Sequence, residues 1–526
     1  MRRILAVTCS LLAATAAISG TRGDQWWAHV RAIAADDMKG RLTGSPDHLH
    51  AADYVIGKLK AAGLKPAGVD GYLQPVAFTE QRIIGPESSA SLEGPDGSVP
   101  IGVPDVMIIS GGGGPTPDAI DAPMIFAGYG LRIPEAGHDD FAGLDVKGKI
   151  VVVIAGGPST ISGALKSNAR SERGKFLADK GALGILALTP PKQIEIPWPR
   201  RMLIAPQPAM FLADPALRDI KSPFLSASFD TAKSELLFKG SGHTFEDVAA
   251  LADAAKPVPT FALAQRLKAK VAARRREVTS PNIVAKLPGS DPKLKDEYVV
   301  VSAHLDGLGV GEPIDGDTIY NGAMDDASGV ATVLEIAAKL KADRARPKRS
   351  ILFAFVTAEE KGLLGSRYFA SRPTVPSNAI VADLNFDMPL PLWPLKSVIV
   401  LGADESSLGN VAKAVATARG LPLAPDPLPD RNSFTRSDQF SFIRAGVPSV
   451  AFKFGFERGT PEERIEKEWR TVRYHSPSDD IDQPVEKEEA VKLNDFVADM
   501  ALRVANGTAR PTWNANSAFR KFAEPR

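Results

Sequence analysis

Tyr298-Val299-Val300-Val301-Ser302-Ala303-His304 is the stretch on which the fold turns. A short run of branched apolar residues reads as a buried strand, and His304 arrives as it ends. Downstream, strands and helical patterns alternate: helix 329–340, strand Ile351–Val356, helix 362–370, strand Ile380–Phe386, strand Val398–Leu401, helix 407–419, strand Val450–Phe454 and helix 486–503. The alternation predicts an α/β fold, an open and mostly parallel sheet with helices on both faces. Ligands of such sheets gather beyond the carboxyl ends of the strands. Upstream, 26–64 reads as helical with a break at Arg41-Leu42-Thr43-Gly44-Ser45-Pro46.

The strand ends carry the chemistry. Asp306 follows His304 by two residues, close enough to hold its imidazole tautomer as metal histidines require. Ile319-Tyr320-Asn321-Gly322-Ala323-Met324-Asp325-Asp326-Ala327-Ser328-Gly329 puts two carboxylates on a loop that feeds a helix. That pattern is a plain N-cap as readily as a ligand pair. Phe353 to Ala358 ends in Glu359-Glu360, Ile380 to Phe386 delivers Asp387, and Tyr474-His475 lies in a loop before the last helix. Each residue alone has a bland explanation. Together, imidazole and carboxylate ligands without any thiolate suit an open catalytic centre for two divalent ions.

At 526 residues the chain is long for one core, and two domains are expected. Its net charge of +1, with basic residues spread along the sequence, excludes an evident nucleic-acid partner. Arg2 and Arg3, an apolar run from Ile4 to Ile18 and small residues up to Gly20 read as a signal peptide over residues 1–20. The run is too short to anchor in a membrane, so a periplasmic or secreted protein without stable membrane insertion is expected. Cys9 is the only cysteine and lies in that segment. The mature chain therefore forms no disulfide and has no cysteine nucleophile.

Ser110-Gly111-Gly112-Gly113-Gly114-Pro115 marks a boundary by composition. Beyond it, Gly128-Tyr129-Gly130, Asp139-Asp140-Phe141, Val146-Lys147-Gly148-Lys149-Ile150-Val151 and Lys180-Gly181-Ala182-Leu183-Gly184 resemble a protease-associated domain. That resemblance implies a β-rich insert over 115–259 with no catalytic group of its own. The flanking segments 24–114 and 264–508 then form one discontinuous catalytic domain. Residues 509–526 read as a loosely held polar tail.

Five motifs in order carry a second resemblance: His304-Leu305-Asp306, Gly322-Ala323-Met324-Asp325-Asp326-Ala327-Ser328-Gly329, Thr357-Ala358-Glu359-Glu360, Asn385-Phe386-Asp387-Met388 and Tyr474-His475-Ser476-Pro477-Ser478-Asp479-Asp480. Together they look like the co-catalytic zinc aminopeptidases of the M28 peptidase family, with the zinc-peptidase, phosphorylase-like sheet. The resemblance implies two zinc ions bridged by Asp325, one completed by His304 and Asp387, the other by Glu360 and His475. It implies Glu359 as general base, Asp306 as the support of His304, and Tyr474 as a donor to the oxyanion. Peptides are the implied substrates. Met324 departs from the family's usual small polar or acidic residue, at a position that is not a ligand. No residue gripping a free amine is identifiable, so carboxypeptidase, dipeptidase or glutaminyl-cyclase-like activity stays open beside aminopeptidase. A receptor-like protein on a dead scaffold expects lost ligands, and none is lost.

Overall fold

Every residue of the strand Tyr298–His304 is buried, and its side chains split between two cores. Val299, Val301 and Ala303 join the larger core, while Tyr298 and Val300 face a smaller one on the opposite side. Period-two alternation explains the split. Each buried valine contributes about 1.5 kcal/mol or more relative to an exposed one, so the register is tightly fixed. The computed structural model describes residues 20–111, 113–431 and 433–523. The signal segment lies outside these residues except for Gly20, and so does Cys9. No helix among the described residues is long and apolar enough to cross a membrane.

The main sheet runs in the order Ala209–Leu212, Leu73–Ile83, Ala273–Leu287, Ser350–Val356, Tyr298–His304, Ile380–Asn385, Ser449–Phe454, Val398–Leu401 and Leu423–Ala424. Parallel pairing joins the four central strands, from Ser350–Val356 through Ser449–Phe454. On one side, Ala273–Leu287 pairs antiparallel with both Ser350–Val356 and Leu73–Ile83. On the other, Val398–Leu401 runs antiparallel to Ser449–Phe454. The expected mostly parallel sheet is thus parallel at its centre and in its last pair, Val398–Leu401 with Leu423–Ala424, and mixed as a whole. Helices cover both faces. Arg22–Ile33, Pro46–Ala61, Ser328–Ala342, Leu408–Arg419 and Lys487–Asn506 pack on the larger core, Leu364–Ser371 and Gln439–Arg444 on the smaller.

A second sheet of eight strands has a hydrophobic core of its own. It takes in Ser89–Gly94, Gly97–Ile101, Met107–Ile109 and Thr260–Lys270, which lie outside the 115–259 expected for an insert. Conversely, Ala209–Leu212 from inside that range extends the main sheet. The strands before and after the glycine-rich stretch, Met107–Ile109 and Ala119–Ala127, thus lie in one sheet. The two halves are tied by Asp219, whose carboxylate accepts bidentate bonds of 2.9 and 2.8 Å from Arg444. Arg367 adds a 2.7 Å ion pair to the same group.

The tail differs from expectation as well. Phe519 is fully buried among Ile399, Leu401, Phe434 and Ile443, and the Trp513 indole donates to the Gly446 carbonyl at 3.0 Å. Aromatic anchors in an otherwise polar segment are enough to dock it.

Candidate metal centre

Three of the central parallel strands release their chains at one sheet edge. Tyr298–His304 ends on His304, Ser350–Val356 is followed by Glu359-Glu360, and Ile380–Asn385 by Asp387. The loop after Gly322 brings Asp325 to the same place. Gly322 has φ +60°, and a Cβ there would meet the Asp325 carbonyl at 2.2 Å, so glycine is required. The Asp325–Asp326 peptide is cis.

The adjacent aspartates do different work. Asp326 Oδ1 accepts from the Gly329 N–H at 3.0 Å, capping the helix Ser328–Ala342, and from the Met388 N–H at 3.1 Å. Asp326 thus satisfies a free N–H of the helix's first turn, from the residue before the N-cap Ala327. Asp325 instead faces two imidazoles, Oδ1 lying 3.2 Å from His304 Nε2 and Oδ2 lying 3.4 Å from His475 Nε2. His475 Nε2 is also 3.3 Å from Glu360 Oε2. His304, Asp325 and Asp387 form one triad, and Asp325, Glu360 and His475 another, the ligand atoms of each lying within 4.8 Å of one another. Burial alone would raise the Asp325 carboxyl, but the two imidazoles outweigh it and hold it well below the usual range.

His304 is set up as a ligand by its other nitrogen. Nδ1 lies 3.1 Å from the Asp306 backbone carbonyl, which can only accept. With a proton on Nδ1, Nε2 on the Asp325 side of the ring is left to serve as a metal ligand. Asp306 thus accepts from the ring as expected, with its backbone carbonyl, while its carboxylate stands 3.8 Å away. The carboxylate accepts instead from Thr43 Oγ1 at 3.0 Å and from the N–H groups of Glu359 and Glu360 at 3.0 and 3.3 Å. Asp306 thus orients the glutamate turn with its side chain and His304 with its backbone.

Three supports carried no evident signal in the sequence. The Asp479 carboxylate accepts from the N–H groups of Met324 and Asp325 at 2.9 and 3.0 Å, clamping the bridging loop. Burial raises this carboxyl to about 6. Arg200, from the half bearing the second sheet, donates to the carbonyls of Thr471 and Tyr474 and so pins the loop that carries His475. Arg41 is fully buried and donates to the carbonyls of Leu305 at 2.8 Å, Ile33 at 2.9 Å, Asn321 at 2.6 Å and Gly322 at 3.1 Å. Arg41→Ala strands these acceptors and is expected to cost roughly 3–5 kcal/mol. A urea titration should show a lower midpoint with an unchanged slope.

Glu359 is half-buried and lines one cavity with Asp325, Glu360, Asp387, Tyr474 and His475. Burial, then the carboxylates of Asp387, Asp438 and Glu360, push its carboxyl well above the usual range. The Tyr474 ring lies against His475, with centroids 3.9 Å apart.

The donor set fits zinc. Two donor atoms each about 2.1 Å from one tetrahedral ion lie about 3.4 Å apart, and the contacts of His304 with Asp325 at 3.2 Å and of His475 with Asp325 and Glu360 at 3.4 and 3.3 Å match that spacing. His304 Nε2 and Asp387 Oδ1 are buried with no hydrogen-bond partner among the described residues, as ligand atoms awaiting a cation would be. Four carboxylates on one cavity are otherwise mutually repulsive.

Residues 282–501 match the family model for Peptidase family M28. A leupeptin-inactivating enzyme of Streptomyces exfoliatus is 29% identical over 171 residues, covering 32% of this chain and 35% of its own. A probable leucine aminopeptidase 2 of Aspergillus oryzae is 29% identical over 226 residues, 40% of this chain and 42% of its own. The chain thus spans about two-fifths or less of the length of these relatives. Among solved structures, the aminopeptidase from Aneurinibacillus sp. strain AM-1 superposes with a TM-score of 0.53 at 18% identity, covering 92% of this chain and 93% of its own. A Peptidase M28 precursor from Shewanella amazonensis gives 0.50 at 20% identity, covering 93% and 94%. These two share the fold. Residues 282–501, which match the model for Peptidase family M28, hold all five candidate ligands together with Glu359.

Proposed function

We propose that the chain is an aminopeptidase that holds two zinc ions and hydrolyses the first peptide bond of substrates with a free amino terminus. The observation that carries this reading is Asp325, whose two oxygens each face a different histidine in a different ligand triad. His304, Asp325 and Asp387 would hold one ion, and Asp325, Glu360 and His475 the other. Zinc, when bound, supplies a Lewis acid that polarises a carbonyl and brings the pKa of water near neutrality. Glu359 takes the proton of the attacking water and returns it to the leaving amine. Its environment, buried among carboxylates, favours holding a proton midway through the reaction. Tyr474 donates its hydroxyl to the oxyanion that develops on the former carbonyl. Asp306 keeps Glu359 and Glu360 facing the cavity through their N–H groups. The half built on the second sheet, proposed as a protease-associated module, forms a wall of the substrate cleft. The amino-terminal segment directs the chain to the periplasm or the medium.

A panel of aminoacyl chromogenic substrates, led by leucyl because of the relative's name, tests this reading against N-acetylated controls. Turnover of the free-amine substrates is expected, with none of the blocked ones. A chelator should abolish turnover and added zinc restore it. Cleavage of the blocked peptides would move the enzyme to another exopeptidase or an endopeptidase class.

A further inference from the structure

The whole chain is nearly neutral, with 63 basic and 62 acidic residues, yet one cleft is not. It occupies 920 Å³ between the two halves and opens onto the metal centre, because Tyr474, His475, Arg436 and Arg470 line both it and the metal-side cavity. Eight of its lining residues are Lys or Arg, and three are Asp or Glu. Some of that charge is neutralised locally. Arg431 pairs with Glu195 at 3.0 Å and also with Glu466, which pairs with Arg470 at 2.5 Å. Glu195 reaches Arg436 only at 3.6 Å. Four other cations form no ion pair among the described residues: Lys192 and Arg201 from the half with the second sheet, Arg458 and Lys467 from the other. Arg201 lies over the Trp198 ring at 5.1 Å, and Arg458 donates to the Pro427 carbonyl at 2.7 Å. Neither contact removes charge.

The metal-side cavity is lined by four carboxylates, Asp325, Glu359, Glu360 and Asp387, and by three cations, Arg436, Lys453 and Arg470. Away from the metals the walls are cationic, and a cleft with low-dielectric sides focuses that potential on whatever enters. Resting on the proposed aminopeptidase reading, we infer that the cleft selects peptides carrying carboxylates downstream of the scissile bond. The carboxylates are either acidic side chains at the second and third positions or the carboxyl terminus of a short peptide. Such a substrate lies with its ammonium at the metal centre and its negative end between Lys192 and Lys467.

Peptides sharing an amino-terminal leucine test this, with Glu-Glu, Gln-Gln or Lys-Lys at positions two and three, each with a free or amidated carboxyl terminus. At low salt, kcat/KM for the Glu-Glu peptide is expected to exceed that for Lys-Lys by at least about tenfold. The gap should lie mainly in KM and shrink at 0.5 M NaCl, where the screening length is only a few ångströms. A preference following the free carboxyl terminus alone would assign the cleft to short peptides, and one surviving amidation would assign it to acidic side chains. In the double variant Lys192→Glu/Lys467→Glu, both exposed positions, the Glu-Glu to Lys-Lys ratio should fall toward one. Equal kcat/KM for all three peptides in the native enzyme, with leucyl chromogenic substrate still turned over, overturns the inference and spares the aminopeptidase reading. Failure to turn over any free-amine substrate overturns both.

Discussion

Glu359→Gln is expected to retain two zinc ions per chain and to lose two to four orders of magnitude in kcat, the usual contribution of a positioned acid–base group. The two properties separate because Glu359 lines the metal-side cavity without belonging to either ligand triad. The Asp306 carboxylate grips the backbone N–H of Glu359, not its side chain, so the amide variant keeps the turn in place. Gln preserves the shape of the side chain and removes only its ability to accept a proton. KM should therefore change little. Elemental analysis and steady-state kinetics on one preparation check this, and near-normal kcat in a zinc-replete sample would remove Glu359 from the mechanism.

Asp325→Ala is expected to empty both metal positions and abolish activity, whereas Glu360→Ala or Asp387→Ala should weaken one position more than the other. The asymmetry follows from geometry, because only Asp325 belongs to both triads. Without it, His304 and His475 lose the carboxylate that faces them, and each triad keeps two ligands. The loop itself should survive the change. Asp479 holds that loop through the N–H groups of Met324 and Asp325, which the substitution leaves intact. The measurement is metal content after dialysis against a weak chelator, with circular dichroism to show that the fold persists. Retention of one full equivalent of zinc would mean that one position does not depend on the bridge.

The candidate ligands were legible because chain order and strand position report the same edge. His304, Glu359-Glu360 and Asp387 each follow an apolar run that is central in the sheet, where pairing is parallel and the exits coincide. The flanks were harder to read. Ala273–Leu287 is antiparallel to both neighbours, and nothing in its side chains distinguishes that direction from the other. The second sheet was harder to delimit, because the strands Met107–Ile109 and Ala119–Ala127, on either side of a sharp change in composition, belong to the same sheet. Arg41, Asp479 and Arg200 were silent for another reason. Each acts on backbone groups far away in sequence, and such partners leave no local pattern. Asp306 shows the limit of spacing as a guide, since two residues from His304 it supplies its carbonyl to the ring and its carboxylate to Glu359 and Glu360.

The most direct test of the central claim is a crystal structure of the zinc-loaded protein with anomalous scattering recorded at the zinc edge. Two anomalous peaks are expected, one against His304 and Asp387, the other against Glu360 and His475, with an oxygen of Asp325 reaching each. A single peak, or two with Asp325 turned away from either, would contradict the bridged centre on which the proposed chemistry rests.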